Sequence, residues 1–174
     1  MSFASSAFFM SNALVYMRLI HGRFMPDIYL DFVPETIADA MGVDADEVVE
    51  MMKDGRYAAP WMERRIRHEY DFDGPEGDED AMSSNGPVEF KGITKYGVKI
   101  VPSWMVGSSG SVDWEALDEW LDNMSGGFIL HDNTQFPSVP CWWIDSNQVR
   151  DWVEDGLFSS SGGINYNTIV SLLD

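Results

Sequence analysis

The sequence predicts an α+β protein, with a helical N-terminal part followed by a small mixed part built on antiparallel strands. Three observations lead there. Residues 34–70 carry helix start and stop residues and no strand signal. Residues 71–87 (DFDGPEGDEDAMSSNGP) mix like charges with Gly, Pro, Ser and Asn, which marks an acidic linker or mobile loop. Beyond them, short β-type runs alternate with helical ones. The expected organisation is therefore 1–70 helical, 71–87 linker and 88–174 α+β. With 174 residues, 45% of them hydrophobic, the chain is long enough to bury a sizeable core.

Each element has a local reason. Phe9, Ala13, Tyr16, Met17 and Ile20 recur at helical spacing. No positive charge precedes that apolar stretch and Ser5, Ser6, Ser11 and Asn12 interrupt it, so a core helix is expected rather than a signal peptide. Pro34 opens a helix that Gly42 ends. Asp44 or Asp46 caps the next, which runs through Val48, Val49 and Met52 to Gly55. Pro60 opens a third, through Met62, Ile66 and Tyr70. Val88–Phe90 and Tyr96–Val106 read as strands, with a hairpin turn in the Gly92–Gly97 region. Ser111 is expected to cap a helix from Val112 to Met124, closed by Gly126 and Gly127. Phe128–Leu130 and Val139–Ile144 follow as strands. Ser146 is expected to cap a helix to Asp155, and Asn165–Leu173 forms the last one.

Charge restricts the function. Twenty-nine acids face 11 bases, for a formal charge of -18 and a sequence pI near 4.2. Such a surface repels phosphate, which disfavours direct nucleic-acid binding. No apolar run of eighteen residues is present, so no membrane partner is expected and the protein is read as cytoplasmic. The acids are clustered: six fall in residues 71–80, and 111–174 holds eleven against Arg150 alone.

Motifs for catalysis and metal binding fail on spacing. Counting an EF-hand loop from Asp71 puts Pro75 at the fifth position, Glu76 at the sixth and Met82 at the twelfth, where a ligand, Gly and Glu are needed. His21, His68 and His131 form no zinc pattern, and the lone Cys141 sits among large apolar neighbours as a buried hydrophobe. His131, Asp132 and Asp145 can be drawn as an acid–base cluster, but turn chemistry around Asp132 and Asn133 explains them more simply. The serine–glycine runs at 107–110 and 159–163 lack a phosphate-binding Lys. The expectation is no enzyme, no cofactor and no metal. Trp61, Trp104, Trp142 and Trp143 are expected to fill cores, and a tryptophan at the edge of an acidic patch would suit an interface anchor.

Two stretches remain as binding candidates. In residues 35–55, Ile37, Ala38, Met41, Val43, Val48 and Met52 match the buried positions of a helical hairpin and Gly42 its turn. This segment resembles the helix-turn-helix of Cro-type repressors, in which the second helix enters the major groove with basic and amide side chains. The matching positions here are Asp44, Asp46, Glu47 and Glu50, which phosphates repel, so a scaffold or a protein-binding role is implied. In residues 111–124, Trp114, Leu117, Leu121 and Met124 make one apolar face, and Glu115, Asp118, Glu119 and Asp122 fall on the other. Carboxylates at i and i+3 or i+4 lie roughly 5–6 Å apart, comparable with the charge repeat of a nucleic-acid strand, ~3.4 Å.

Short, acidic and without enzymatic motifs, the chain is similar in type to the DNA-mimic anti-restriction and anti-CRISPR proteins of phages and mobile elements. That resemblance implies an inhibitor of a basic partner, such as a CRISPR effector, restriction enzyme or nuclease. Asp44, Glu47, Glu50, Glu115, Asp118, Glu119 and Asp122 would form the contact face. The alternatives are an immunity or antitoxin protein for a basic nuclease toxin, and a helix-turn-helix transcriptional regulator.

Overall fold

A computed structural model describes residues 25–55, 57–77 and 79–174. The helix expected within residues 9–20 lies outside them. The described residues contain seven strands and six helices. In chain order these are β1 (Ile28–Asp31), α1 (Pro34–Met41), α2 (Ala45–Asp54), α3 (Ala59–Tyr70), β2 (Ala81–Ser83), β3 (Gly86–Ile93) and β4 (Val98–Lys99). They are followed by α4 (Trp114–Asn123), β5 (Gly127–Asp132), β6 (Ser138–Ile144), α5 (Ser146–Glu154), β7 (Gly163–Ile164) and α6 (Tyr166–Leu173). The α+β class read from the sequence is the class of the fold.

Five strands form one mixed sheet in the order β1-β6-β5-β3-β2. Its central pair, β3 with β5, is parallel, with Val88 opposite Gly127 and Ile93 opposite Asp132, and the other pairs are antiparallel. Parallel neighbours need a long crossover, and residues 94–126 supply one that contains α4. Strands β4 and β7 form a separate two-stranded ribbon.

Alternation along the strands sends side chains to two cores. Phe128 and Leu130 of β5 join Trp142 and Ile144 of β6, packed against Leu117 and Leu121 of α4, Val149 and Trp152 of α5, and Ile169 of α6. Ile129, Val139 and Cys141 point the other way, toward Ala38 of α1, Val48 and Met52 of α2, and Met62 and Ile66 of α3. Every residue of β5 is buried, as a strand covered on both faces must be.

Several expectations need correction. Residues 28–31 form a strand within the part read as helical, because Ile28 to Asp31 pair with Ser138 to Cys141. The 71–87 stretch is only partly a connection. Ala81–Ser83 pairs with Gly86–Val88, the Asp80 carboxylate accepts from the Phe90 N–H at 2.7 Å, and Arg67 donates to the Asp80 carbonyl at 3.0 Å. Glu79 accepts from the backbone of Glu76 and Gly77. Hydrogen bonds from its own N–H and from those two hold its carboxyl below the usual range. Residues on either side of the stretch share the second core.

The strand read at Tyr96–Val106 shrinks to Val98–Lys99 and a 3₁₀ turn at Ser103–Met105; a tight turn does join Thr94 to Gly97 through both backbone hydrogen bonds. Two caps shift. Asp113, rather than Ser111, accepts from the Ala116 N–H, and Asp145 accepts from that of Gln148. Among the described residues no helix is long and apolar enough to cross a membrane.

Candidate functional site

Helices α4 and α5 lie side by side on the first core. Leu117 and Leu121 are buried while Glu115, Asp118, Glu119 and Asp122 are exposed. That division follows the period of 3.6 residues: the leucines face the sheet, so the acids between them face water. Helix α5 and its C-terminus add Asp151, Glu154 and Asp155, also exposed. The pair of helices thus presents seven carboxylates.

One guanidinium stands among them. Arg150 of α5 donates through Nε to Asp118 Oδ1 at 2.7 Å, through Nη2 to Asp122 Oδ1, and through the same nitrogen to the Asp118 carbonyl at 3.2 Å. The hydrogen bond to Asp118 is the first cause holding this group charged, and the nearby carboxylates add to it. Asp118 and Asp122 are therefore paired. Glu115 and Glu119 have no cationic partner among the described residues. Sequence reading missed this pairing because Arg150 lies 28 positions from Asp122 on another helix. Beside the acids, Trp114, Leu117, Leu121 and Val153 line a cavity of about 240 Å³, with Trp114 43% exposed and edge-on to Phe158.

Helix α2 carries the other candidates. Asp44 occupies its N-cap position without a side-chain cap bond, and Glu47 follows in the first turn, where the helix dipole favours negative charge. Glu50 pairs with Lys53 at 3.6 Å. Asp44, Asp46, Glu47 and Glu50 are all exposed, while Val48 and Met52 face the core. Helices α1 and α2 pack as the expected hairpin, and Gly42 and Gly55 end them in left-handed conformation. Met41 is 52% exposed instead of buried, and it lines a groove of about 160 Å³ with Phe32, Ile37, Met51, Tyr57 and Trp61. The seven candidate carboxylates thus lie on two separate helical elements, α2 over one face of the sheet and α4 over the other.

The tryptophans divide. Trp142 is buried and Trp143 partly so, its Nε1 donating to the Gly126 carbonyl at 2.7 Å. Trp61 and Trp104, expected in cores, are exposed. On α3 it is Met62 and Ile66 that face the sheet, which turns Trp61 a hundred degrees away.

Polar groups gather at the end of β5. His131 is buried, with Nδ1 2.9 Å from Asn133 Oδ1. Burial pushes its pKa down to about 4, so the ring is neutral, with Nδ1–H donating to Asn133 and Nε2 left as an acceptor. The ring lines a cavity of about 210 Å³ with Asp54, Glu63 and Asn133. Burial, then the charge of Asp80, raises the Glu63 carboxyl. Asp132, 3% exposed, accepts at Oδ1 from the Thr134 N–H at 2.9 Å and the Thr134 hydroxyl at 2.7 Å, which is the turn chemistry expected of it. Asp145 caps α5 instead of joining that cluster. Cys141 is fully buried and its thiol is pushed up to about 12 by burial. Among the described residues no three His, Cys, Asp or Glu side chains are grouped to hold a metal ion.

No protein-family model matches this chain, and neither a curated protein nor a solved structure matches it.

Proposed function

We propose that this protein is an acidic inhibitor that docks on the basic, nucleic-acid-binding surface of a nuclease or defence complex. The observation that carries the reading is the α4–α5 face, with seven exposed carboxylates and a single guanidinium among them. Glu115 and Glu119, free of internal cations among the described residues, are the primary contacts. Asp118 and Asp122 contribute by exchanging Arg150 for an Arg or Lys of the partner. Trp114 gives the acidic face an apolar anchor beside it. Asp44, Glu47 and Glu50 form a second acidic element on α2. The mechanism is steric occlusion, with long-range attraction raising the association rate.

The test is inhibition of DNA cleavage by a panel of CRISPR effectors and restriction enzymes, with and without the triple change Glu115→Lys, Glu119→Lys and Glu154→Lys. The expected result is inhibition of at least one member, weakened tenfold or more by the triple change and by raised salt. Inhibition that survives the triple change overturns the role of this face. Affinity for duplex DNA at physiological salt, without inhibition, would instead favour a regulator using α1 and α2.

A further inference from the structure

We infer that the cavity between β3 and the α2–α3 junction is a binding site for the primary carboxamide of a small molecule, held by His131 Nε2 and Asn133 Nδ2. Gly55 after α2, Ala59 and Glu63 of α3, Gly92 of β3, and His131 and Asn133 at the end of β5 line it. At about 210 Å³ it falls below the range of drug-sized sites, which limits the ligand to a small one.

Two buried polar atoms at this cavity lack partners. His131 is 3% exposed and Asn133 1%. The Nδ1–H of His131 donates to Asn133 Oδ1 at 2.9 Å, which leaves His131 Nε2 as an acceptor and Asn133 Nδ2 as a donor. Among the described residues nothing donates to that Nε2 or accepts from that Nδ2. Burying such atoms without a hydrogen bond is unfavourable. Gly92 marks where they can be reached. It stands opposite His131 in the parallel ladder and its φ is not positive, so its backbone does not require glycine. A Cβ there would lie 2.8 Å from Asn133 Nδ2 and 3.6 Å from His131 Nε2. One point in space thus touches both atoms, and glycine keeps it open. Glycine inside a strand weakens the strand and often marks the close approach of another group.

The ligand must donate one hydrogen bond and accept another side by side. A primary carboxamide does both in one plane: its NH₂ donates to His131 Nε2 and its carbonyl accepts from Asn133 Nδ2. Glu63, on the same wall, offers an acceptor for the second N–H. The group reproduces the hydrogen bonds that water would make there, so displacing water forfeits none. A carboxylate lacks the donor and would meet Glu63 and Asp54 on the wall; an ammonium or guanidinium lacks the acceptor. Burial holds the His131 pKa at about 4, so Nε2 remains an acceptor at neutral pH.

This inference is independent of the proposed inhibitory role and uses a different surface. The experiment titrates the full chain with nicotinamide, which carries the group on a ring, and with propionamide, which carries it on a short chain. Nicotinate and propionate serve as the matched acids. Calorimetry and the nitrogen NMR signal of His131 Nε2 follow the binding. The titrations are repeated on Ala59→Leu, which fills the cavity and leaves its polar groups in place. They are repeated also on Asn133→Asp, which keeps the Oδ1 acceptor for His131 and replaces the donor by a second acceptor. Urea unfolding checks that each variant folds.

Saturable binding of either amide, at least tenfold tighter than its acid and with a shift of the His131 Nε2 signal, supports the site. A further tenfold loss is expected in both variants. Absence of saturation with either amide leaves the cavity to water and overturns the inference. Equal affinity for amide and acid overturns the carboxamide, and unchanged affinity in folded Ala59→Leu overturns the location. Unchanged affinity in folded Asn133→Asp overturns the role of Nδ2. If a variant does not fold, the amide–acid comparison and the Nε2 signal on the natural chain decide.

Discussion

His131 stands on a central strand with cores above and below it, and removing an imidazolium from water there pushes its pKa down to about 4. The sign of the consequence follows from linkage. Below about 6.5 the unfolded chain takes up a proton that folded His131 refuses, so stability falls as the pH drops from about 6.5 to about 4. The difference is worth up to about 3 kcal/mol. Glu63 and Glu89, both raised first by burial, act in the opposite sense and gain stability as the pH falls. Urea unfolding at pH 7 and pH 4.5 should therefore show a smaller loss for His131→Gln than for the natural chain; equal losses would refute the assignment. Cys141, with its thiol pushed up to about 12, should resist a thiol reagent in the native state and react fully once unfolded. Its inertness was legible from its apolar neighbours, whereas the depressed His131 was not, because nothing local to residue 131 announces that two layers of helices will cover it.

Helix ends carry the sharpest contrasts at the next scale. Gly42 and Gly55 both sit at positive φ, 71° and 81°, where an L side chain is strained. A Cβ at Gly42 meets nothing within 4 Å, but at Gly55 it would lie 2.8 Å from Thr94 Cγ2 and 3.3 Å from Asn133 Nδ2. Gly42→Ala should cost about 1 kcal/mol from conformation alone. Gly55→Ala should cost clearly more, and chemical denaturation of the pair would reveal a reversed order if the packing reading is wrong.

Arg150 makes an equally specific prediction, because it joins α4 to α5 while quenching the face proposed to bind. Arg150→Ala should lower stability by about 1 kcal/mol yet strengthen inhibition of a basic target, since two carboxylates are released. Parallel loss of both would show that Arg150 holds the binding surface in shape. The caps moved from Ser111 and Ser146 for tertiary reasons. Val112 donates its N–H to the Ser160 carbonyl and pairs with Val106, which keeps the chain extended two residues longer, to Asp113. The Ser146 hydroxyl donates to the Met124 carbonyl at 2.6 Å and ties the end of α4.

Across the whole molecule the charge of -18 is spread over acids that mostly lack bases, so the folded state repels itself. The melting temperature should rise on going from low salt to a few hundred millimolar, as screening lengths shrink to the spacing between charges. A falling melting temperature would mean that attractive pairs such as Lys91 with Glu89, 2.6 Å apart, outweigh the repulsion. Salt should thus stabilise the protein while weakening its association with a basic partner, two opposed trends from one cause.

What the sequence by itself determined is local: helices α1 to α6, whose apolar positions recur at helical spacing and whose ends carry Pro, Gly, Asp and Asn, and strands β5 and β6, whose apolar runs need no partner to be recognised. The acid surplus and its clustering on α2 and α4 belong there too. Tertiary structure alone decided the rest. Strand β1 exists because residues 28–31 find a partner more than a hundred positions away, and no local pattern encodes an edge that distant. Arg150 reached Asp118 and Asp122, and His131 came to line a cavity with Gly55 and Glu63, only once the helices had packed on both sides of one sheet. Backbone preferences act over a few residues, whereas pairing of strands, desolvation of charges and enclosure of space depend on which surfaces meet.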